Sequence, residues 1–547
     1  SVRGLRWMKD GRHLLKAGEK GAYEVIDALS GETRPLFEAS AMEAAFARLP
    51  GFDEEEARKA VERGRKTISS AEDSLLITFA NDLFFYRIED AAVIRLTDDA
   101  ESESAASLSP SGEWTAFVKN YDLYVVENSS GREKRLTSDG CEDIRNGYLD
   151  WVYQEEIYGR YNFRAHWWSP DSRYIAFLQL DDREVPHFTV VDHIPSHLDL
   201  ELSRYPKAGD PNPKVRLGIL EINSGRIRWA DLYRYSAGQF LIVRVGWTPD
   251  SQKVVFQVQD REQTWLDLNY ADAAEGTVEN LFREESEAWV NVLAEPVWLK
   301  DGSFLWQSER TGYRHLYHYS VDAELIGAVT SGEWEVRKLE SVDEENGILY
   351  FSGTRDRAIE SHLYRVNLDG GDLERITTKA GTHSINFSPD SKHYIDSWSE
   401  IMTPTQVRLH RADGSEVRVI EATTGRILAA DREHAGGIDI GSCELAGKRA
   451  LERAGGELAP RLARVIVQRF SYGCPINIPA IAPPKIGVTP FEAEVHCPSD
   501  FLRVLDNAVE SEISQRGCRT VQPLASDFVV TGAVTDYKEV FSPALKI

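Results

Sequence analysis

One pattern recurs along the first three quarters of the 547-residue chain and restricts its folding more than any other feature. Each copy has a turn with Asp-Gly, Ser-Gly or Pro-Asp, an apolar strand, a second strand often containing Leu-Tyr, and a charged turn. A small antiparallel sheet of this kind cannot bury both of its faces alone, so neighbouring copies must stack around an axis. The copies begin at Trp7, Ser70, Ser109, Ser169, Thr248, Leu299, Asp343 and Ser388.

The spacing of these eight copies, mostly about 40 to 60 residues, is typical of propeller blades. Val, Ile, Tyr, Phe and Trp dominate between the turns, which indicates strands. Unrelated strands joined by similar turns are the alternative interpretation, but the order of the features repeats as well as the composition. We therefore predict an all-β chain in which residues 1–421 form an eight-bladed β-propeller.

Two insertions interrupt the period. Residues 50–68, PGFDEEEARKAVERGRKTI, are predicted to form a charged helix. Residues 193–214, HIPSHLDLELSRYPKAGDPNPK, are predicted to form a proline-rich arm that follows the first strands of the fourth blade.

The pattern stops near Glu421, where the composition changes abruptly. All 13 Trp and all 3 Met precede this point, whereas four of the five Cys follow it. Residues 422–547 carry 15 acidic and 14 basic side chains, so nearly all of the net charge of −25 belongs to the repeat region. Such a shift predicts a domain boundary, followed by a short α/β or poorly ordered tail. A small α/β module, an unrelated fusion and a reading-frame break remain open as explanations of residues 422–547.

Charge and composition exclude several classes of function. The net charge of −25 argues against nucleic acid as a partner and favours cationic partners. No apolar run reaches the roughly 18 residues that a membrane span needs. Five Cys in this length give neither a disulfide framework nor a CxxC metal-binding pair, so we expect no metal and no cofactor. The chain opens SVRGLRWMKDGRH, without Met or a signal peptide, so we expect a processed or truncated start.

The segment DWVYQEEIYGRYNF, residues 150–163, places two adjacent carboxylates among aromatic side chains. Unpaired carboxylates avoid apolar surroundings, so Glu155 and Glu156 are predicted to await a cation. A solvated pair on a surface helix is the alternative, and the aromatic frame argues against it.

Three longer stretches point to a family. These stretches follow one another as they do in the dipeptidyl peptidase IV group of the prolyl oligopeptidase family. In chain order they are LDWVYQEEIYGR, WWSPDSRYIAFLQLDDREVPHFTVVDHIP and YPKAGDPNPKV. GYRHLYHY and SGEWEV add to the match, and the chain resembles a bacterial member of that group over residues 1 to about 421. The resemblance implies an eight-bladed propeller joined to an α/β-hydrolase domain with a Ser-Asp-His triad. Such enzymes remove N-terminal dipeptides and prefer Pro or Ala as the second residue.

In that group a Glu-Glu pair on a short helix binds the free α-ammonium of the substrate. The resemblance thus assigns substrate binding to Glu155 and Glu156, on a helix at residues 150–159 that Asp150 caps and Gly159 ends. An α-amino group has a pKa of about 8, so at pH 7 it is mostly protonated and can donate charge-assisted hydrogen bonds to two carboxylates. Holding the ammonium at a fixed distance from a nucleophile would expose the second peptide bond to attack.

Other features of the group are missing. The resemblance leads us to expect an arginine in an early blade that binds the substrate carbonyl. Arg87 lies in such a blade, but the residues around it do not match those of the group. The Phe-Arg pair of some members is absent from the segment EAWVNVLAEPVWLKDG.

The nucleophile elbow G-x-S-x-G is also absent. Its nearest equivalent has Ser471 but Arg469 in place of the first Gly, and the proline-rich CPINIPAIAPPK after it cannot form a helix. His496 follows Ser471 with no Asp between them, so we predict no catalytic residues.

We therefore expect the substrate-gating, ammonium-binding propeller of a dipeptidyl peptidase IV-like serine exopeptidase, inactive by itself. A non-catalytic propeller scaffold for protein or peptide binding is the alternative, and an active enzyme with an unfamiliar tail is a third. The expected partners are peptides with a free N-terminus and, by resemblance, a second copy of the chain bound through the arm at 193–214. Resemblance alone implies a periplasmic or other extracytoplasmic location.

Overall fold

The computed structural model describes residues 4–422, apart from 195, 196 and 198, and five short strands between residues 485 and 534. Along the described residues 6–422, eight sheets follow one another, seven with four strands and one with five, and a separate two-stranded sheet is inserted between strands of the fourth. In the four-stranded sheets each strand pairs with the next one in the chain, as in the blades of a propeller. The prediction of an all-β, eight-bladed propeller is therefore confirmed.

The first four blades contain two helices and one additional hairpin. Blade 1 has β1 (Arg6–Trp7), β2 (His13–Ala17), β3 (Tyr23–Asp27) and β4 (Thr33–Pro35), and is followed by helices α1 (Ala39–Phe46) and α2 (Glu54–Arg63). Blade 2 has β5 (Arg65–Ile68), β6 (Ser74–Phe79), β7 (Asp82–Arg87) and β8 (Ala92–Arg95). Blade 3 has β9 (Ser104–Leu108), β10 (Trp114–Lys119), β11 (Asp122–Glu127) and β12 (Glu133–Arg135). Blade 4 has β13 (Ile144–Asn146), β14 (His166–Trp168), β15 (Tyr174–Asp181), the hairpin β16 (His187–Asp192) and β17 (Asp199–Arg204), then β18 (Lys214–Glu221) and β19 (Ile227–Trp229).

The last four blades are regular. Blade 5 has β20 (Phe240–Trp247), β21 (Lys253–Asp260), β22 (Trp265–Asp272) and β23 (Val278–Glu285). Blade 6 has β24 (Val297–Trp298), β25 (Phe304–Ser308), β26 (His315–Tyr319) and β27 (Leu325–Ala328). Blade 7 has β28 (Val336–Asp343), β29 (Ile348–Gly353), β30 (His362–Asn367) and β31 (Glu374–Arg375). Blade 8 has β32 (Thr382–Phe387), β33 (His393–Glu400), β34 (Thr403–Arg411) and β35 (Glu416–Ala422).

The segment 50–68, predicted as one charged helix, divides into helix α2 and strand β5. The helix begins where the Asp53 carboxylate accepts the Glu56 N–H at 2.8 Å. It ends at Gly64, where an added Cβ atom would lie 2.3 Å from a carbonyl oxygen of the last turn. A side chain at this position would collide with the helix, so the glycine allows the chain to turn directly into the first strand of blade 2.

Side-chain packing closes the ring of blades. Trp7 and Leu14 of blade 1 form one buried hydrophobic cluster with Ile395 and Leu409 of blade 8. The Trp7 indole N–H also donates to the backbone carbonyl of Asn386 at 2.9 Å. The first blade is thus joined to the last by packing, as each blade is to the next.

The Ser/Thr-Pro-Asp-Ser turns do more than reverse the chain. In the first of them, the Ser169 hydroxyl donates to Asp171 Oδ1 at 2.6 Å and Ser172 adopts a φ of 63°. The Ser172 hydroxyl then accepts the N–H of Ser111 in the preceding blade at 2.9 Å. In the next turn, Ser251 accepts the Asp171 N–H at 3.0 Å in the same way. The last serine of the motif therefore ties neighbouring blades together.

A second recurring bond fastens the outer strands of four blades. A threonine hydroxyl just after the fourth strand accepts the backbone N–H of a leucine near the start of the third strand, at 2.9–3.0 Å. We call this bond the threonine clasp. The four pairs are Leu83 with Thr97, Leu123 with Thr137, Leu316 with Thr330, and Leu363 with Thr377.

Thr137→Val is expected to lower the free energy of unfolding by about 1–3 kcal/mol, because it leaves buried polar groups short of a partner. The Thr137 hydroxyl accepts the Leu123 N–H at 2.9 Å and donates to Asp122 Oδ1 at 2.6 Å, and the residue is buried. Urea denaturation measures the change. Thr382→Val, at an exposed position of β32, is the control. Equal stability of the two variants would contradict a role for the clasp.

The C-terminal residues contribute short parallel strands. Residues 485–488 pair with 519–521 and with 528–530, and residues 492–493 pair with 533–534. Ser471, His496 and most of the predicted tail lie outside the described residues. Among the described residues, no helix has both the length and the apolar character needed to cross a membrane.

Candidate functional site

The segment that carries the two glutamates interrupts the first strand of blade 4. Strands β13 and β14 both pair with β15, with Asn146 opposite Gln179 and His166 opposite Phe177. They are two parts of one strand, separated by residues 147–165. The first strand of a propeller blade borders the central channel, so this excursion leaves from the channel wall.

The two ends of the excursion are held together. The Leu149 N–H donates to the Phe163 carbonyl at 2.8 Å, and the Ala165 N–H donates to the Gly147 carbonyl at 3.0 Å. The rings of Tyr148 and Phe163 stack with centroids 5.1 Å apart. These contacts form a short stalk that carries the glutamate-bearing turn.

A capped helical turn occupies the tip of this stalk. The Asp150 carboxylate accepts the N–H groups of Val152 at 2.9 Å and Tyr153 at 3.0 Å. Burial raises the pKa of Asp150, while the two backbone hydrogen bonds oppose that rise. Residues Tyr153–Ile157 form a π-helical turn, and the chain leaves it at Gly159 with a φ of 100°. Such wide turns are rare and occur often at functional sites.

Two tyrosines fix this turn to the neighbouring blade. The hydroxyl of Tyr153 accepts the Ile242 N–H at 3.3 Å, and the hydroxyl of Tyr158 donates to the Ile242 carbonyl at 3.2 Å. The N–H and the carbonyl of Ile242 are available for these hydrogen bonds because the β20–β21 pairing shifts register between Ile242 and Arg244. Burial raises the pKa of both phenols, so both hydroxyls stay protonated. The turn therefore has a fixed position relative to blade 5.

The glutamate pair lies on the side of the turn that reaches solvent. The Glu155 side chain is 16% exposed and forms an ion pair with Arg160, whose Nε lies 2.6 Å from Glu155 Oε1. The Glu156 side chain is exposed, and among the described residues its carboxylate has no hydrogen-bond or ion-pair partner. The two predicted site residues are thus held side by side, one already paired and one available. Arg160 was not predicted; its place directly after Gly159 was the signal in the sequence.

The other candidate residues from the sequence lie in a different blade or outside the residues that the structure describes. Arg87 ends strand β7, where its guanidinium pairs with Asp90 at 2.6 Å and holds the pKa of that carboxyl below its usual range. Ser471 and His496 are not among the described residues. Within the described part of the chain, no group of three or more His, Cys, Asp or Glu side chains could hold a metal ion.

A buried histidine supports the base of the stalk. His166 Nε2 lies 2.9 Å from the Ser107 hydroxyl, and Nδ1 lies 3.2 Å from the Gly147 carbonyl oxygen. Burial, together with the nearby Arg164 guanidinium, lowers the pKa of His166 to about 3. An unfolded histidine has a pKa of about 6.5, so between pH 6.5 and 3 the unfolded chain binds more protons. His166 therefore makes the free energy of unfolding fall as the pH is lowered through this window.

His166→Gln is expected to weaken the dependence of the free energy of unfolding on pH, by up to about 1.4 kcal/mol per pH unit between pH 6.5 and 4. Burial raises the pKa of Glu103 and of Asp182 to about 7, which acts in the opposite direction in the wild type. The quantity to compare is therefore the slope of the free energy of unfolding against pH, in the variant and in the wild type. Urea denaturation at several pH values measures it. His187→Gln, at an exposed position of the hairpin, is the control. An unchanged pH slope in His166→Gln would contradict the assignment.

Comparisons with known proteins agree with this architecture. The family described as the dipeptidyl peptidase IV N-terminal region matches residues 68–405. A probable dipeptidyl peptidase 4 of Neosartorya fischeri is 32% identical over 348 residues, which are 59% of this chain and 44% of that protein. The dipeptidyl peptidase 4 of Trichophyton tonsurans is 30% identical over 347 residues, 60% of this chain and 44% of that protein. The chain thus spans less than half the length of these curated relatives.

Two solved structures share the fold. The crystal structure of Porphyromonas gingivalis dipeptidyl peptidase 4 superposes with a TM-score of 0.67 at 23% identity, covering 77% of this chain and 60% of that one. A putative dipeptidyl aminopeptidase IV from Bacteroides ovatus gives a TM-score of 0.63 at 18% identity, covering 91% and 68%. Since the family match extends over more than half of the sequence, this chain belongs to the dipeptidyl peptidase IV N-terminal region family.

Proposed function

We propose that this propeller binds the protonated N-terminus of peptides through Glu155 and Glu156. In this role it is the substrate-gating part of a dipeptidyl peptidase IV-like serine exopeptidase. One observation carries the proposal: two adjacent glutamates lie on a turn that the buried Tyr153 and the partly buried Tyr158 anchor to blade 5. Within the described residues, one of the two carboxylates has no hydrogen-bond or ion-pair partner of its own.

The chemistry of the site suits an ammonium group. A peptide N-terminus offers three N–H donors and a full positive charge, and hydrogen bonds between oppositely charged groups are about twice as strong as neutral ones. The chain carries a net charge of −25, which attracts cationic ligands over longer distances. An acetylated N-terminus has neither the charge nor the three donors, so it cannot replace the ammonium at either carboxylate.

Calorimetric titration with Ala-Pro-Ala-amide and with its N-acetyl form tests the proposal. We expect the free-amine peptide to bind at least about tenfold more tightly, since a hydrogen bond to a charged group contributes about 1.5–3 kcal/mol. Equal binding of the two peptides would reject the ammonium site. It would favour the alternative, a propeller scaffold that recognises partners by other surfaces.

We also propose that the chain does not hydrolyse peptides by itself. The sequence contains no G-x-S-x-G elbow, which the serine nucleophile of an α/β-hydrolase requires. Incubation with Gly-Pro-anilide and Ala-Pro-anilide is expected to release no aniline. Serine-dependent release would contradict this part of the proposal.

The hairpin His187–Arg204 overlaps the arm proposed from the sequence at residues 193–214. It exposes apolar side chains, among them Val190 at 47%, Leu200 at 59% and Leu202 at 59%. Exposed apolar side chains grouped on one hairpin favour association, and a second copy of this chain is the partner we propose. Leu200→Glu combined with Leu202→Glu is expected to give monomers in sedimentation velocity, where the wild type gives dimers. A monomeric wild type would contradict the proposal.

A further inference from the structure

The ion pair at Glu155 occupies half of the proposed ammonium site. Arg160 directs both Nε and Nη2 at Glu155 Oε1, the Nε at 2.6 Å. The Arg160 side chain is 67% exposed, whereas that of Glu155 is 16% exposed. An α-ammonium that binds Glu155 must share a carboxylate whose Oε1 already accepts from the guanidinium, so the two cations compete for the same negative charge.

The loop that carries Arg160 is fixed by a buried residue. Gln154 is 6% exposed, and its Oε1 accepts the N–H of Tyr161 at 2.8 Å. The loop is closed further by the Asn162 N–H, which donates to the Gly159 carbonyl at 2.9 Å. The backbone on either side of Arg160 is therefore fixed above the glutamates, which keeps the guanidinium within reach of Glu155.

We propose that Arg160 is a tethered competitor of the peptide ammonium. Its guanidinium holds Glu155 in the free chain and leaves when a peptide N-terminus binds both carboxylates. This inference rests on the proposed function of the glutamate pair and adds a residue that sets its affinity. Glu156, which is exposed, receives the ammonium first, and the exchange at Glu155 follows.

The strength of this ion pair decides whether Arg160 blocks the site or only weakens it. An ion pair with one exposed partner is weak and changes an equilibrium by no more than about fivefold. An incoming ammonium can therefore displace the guanidinium, but it loses part of its own binding energy in doing so. The side chains of Glu155, Glu156 and Arg160 together carry a net charge of −1. Without Arg160, the two glutamates would present a charge of −2 to the peptide.

Arg160→Ala is expected to bind Ala-Pro-Ala-amide about two- to fivefold more tightly than the wild type, with no gain for the acetylated peptide. Arg160→Lys keeps the charge without the forked guanidinium, and its affinity is expected to lie between the two. Arg132→Ala is the control for net charge. Arg132 is 74% exposed and pairs with Glu127 in a turn of blade 3.

A double-mutant cycle locates the effect at Glu155. The gain from Arg160→Ala is expected to disappear when Glu155→Gln is already present, because the competitor then has no carboxylate to occupy. A gain of equal size in both backgrounds, or an equal gain from Arg132→Ala, would overturn the inference and leave only a general effect of charge. Unchanged or weaker binding by Arg160→Ala would overturn it as well.

The same titrations separate this inference from the function on which it rests. If the wild type prefers the free-amine peptide and Arg160→Ala does not improve that preference, the competitor is rejected and the ammonium site stands. If neither chain distinguishes free from acetylated peptide, both proposals are rejected.

Discussion

A chain with Glu155→Gln and Glu156→Gln together is expected to bind a free-amine peptide about one hundredfold more weakly than the wild type. Both substitutions keep the size of the side chain and remove its charge. About 1.5–3 kcal/mol is attributed to each hydrogen bond to a charged group, and part of it is retained by the neutral amide oxygens. The acetylated peptide, which does not use these carboxylates, is expected to bind equally to both chains.

A second adjacent pair provides the matched control. Glu344 and Glu345 are exposed in the turn between the first two strands of blade 7. Glu344→Gln with Glu345→Gln changes the net charge by the same amount and leaves the candidate site intact. Calorimetric titration of both double variants should separate the local effect from the general one. Similar losses in the two variants would mean that net charge, and not the Glu155–Glu156 pair, attracts the peptide.

Tyr153→Ala is expected to lower the free energy of unfolding by about 3–5 kcal/mol, as other large-to-small substitutions of buried aromatic residues do. Tyr153 has no exposed surface and lies in the large hydrophobic cluster shared by blades 4, 5 and 6. The variant also loses the hydrogen bond from the Ile242 N–H, which fixes the glutamate turn to blade 5. We therefore expect it to lose peptide binding together with stability.

Two further variants divide this effect into its parts. Tyr153→Phe removes only the hydroxyl and is expected to cost about 1 kcal/mol, mainly by leaving the Ile242 N–H without its acceptor. Tyr161→Ala, on the same segment but 80% exposed, is expected to change stability by less than about 0.5 kcal/mol. Urea denaturation measures all three. A Tyr153→Ala chain within about 1 kcal/mol of the wild type would mean that the turn is not anchored as described.

The repeat architecture was predictable because its signals are local. Each blade brings its own turn residues, such as Ser169 and Asp171, and its own alternation of strand residues, so counting the copies gives the number of blades. The prediction that Glu155 and Glu156 lie on a short helix came from the family resemblance, and only its ends, Asp150 and Gly159, were read from local signals. The hydrogen bond between Ser172 and Ser111 of the preceding blade could not be predicted in this way. It depends on how two blades pack together, and no single repeat contains both residues.

The parts of the site that could not be predicted are those formed by distant residues. Ile242 lies more than eighty positions from Tyr153 and Tyr158, and its role depends on a register shift within blade 5. The hairpin formed by β16 and β17 escapes the sequence prediction for a different reason. Its first strand, HFTVVD, has the alternation of a strand but precedes the proline-rich stretch from which the arm at residues 193–214 is predicted.

A crystal structure of the chain with bound Ala-Pro-Ala-amide tests the central claim most directly. We predict that the peptide nitrogen lies within hydrogen-bonding distance, about 2.7–3.2 Å, of carboxylate oxygens of both Glu155 and Glu156. We also predict that the Arg160 guanidinium has moved away from Glu155. A peptide bound with its N-terminus elsewhere, while Glu155 and Glu156 contact only water and Arg160, would contradict the account.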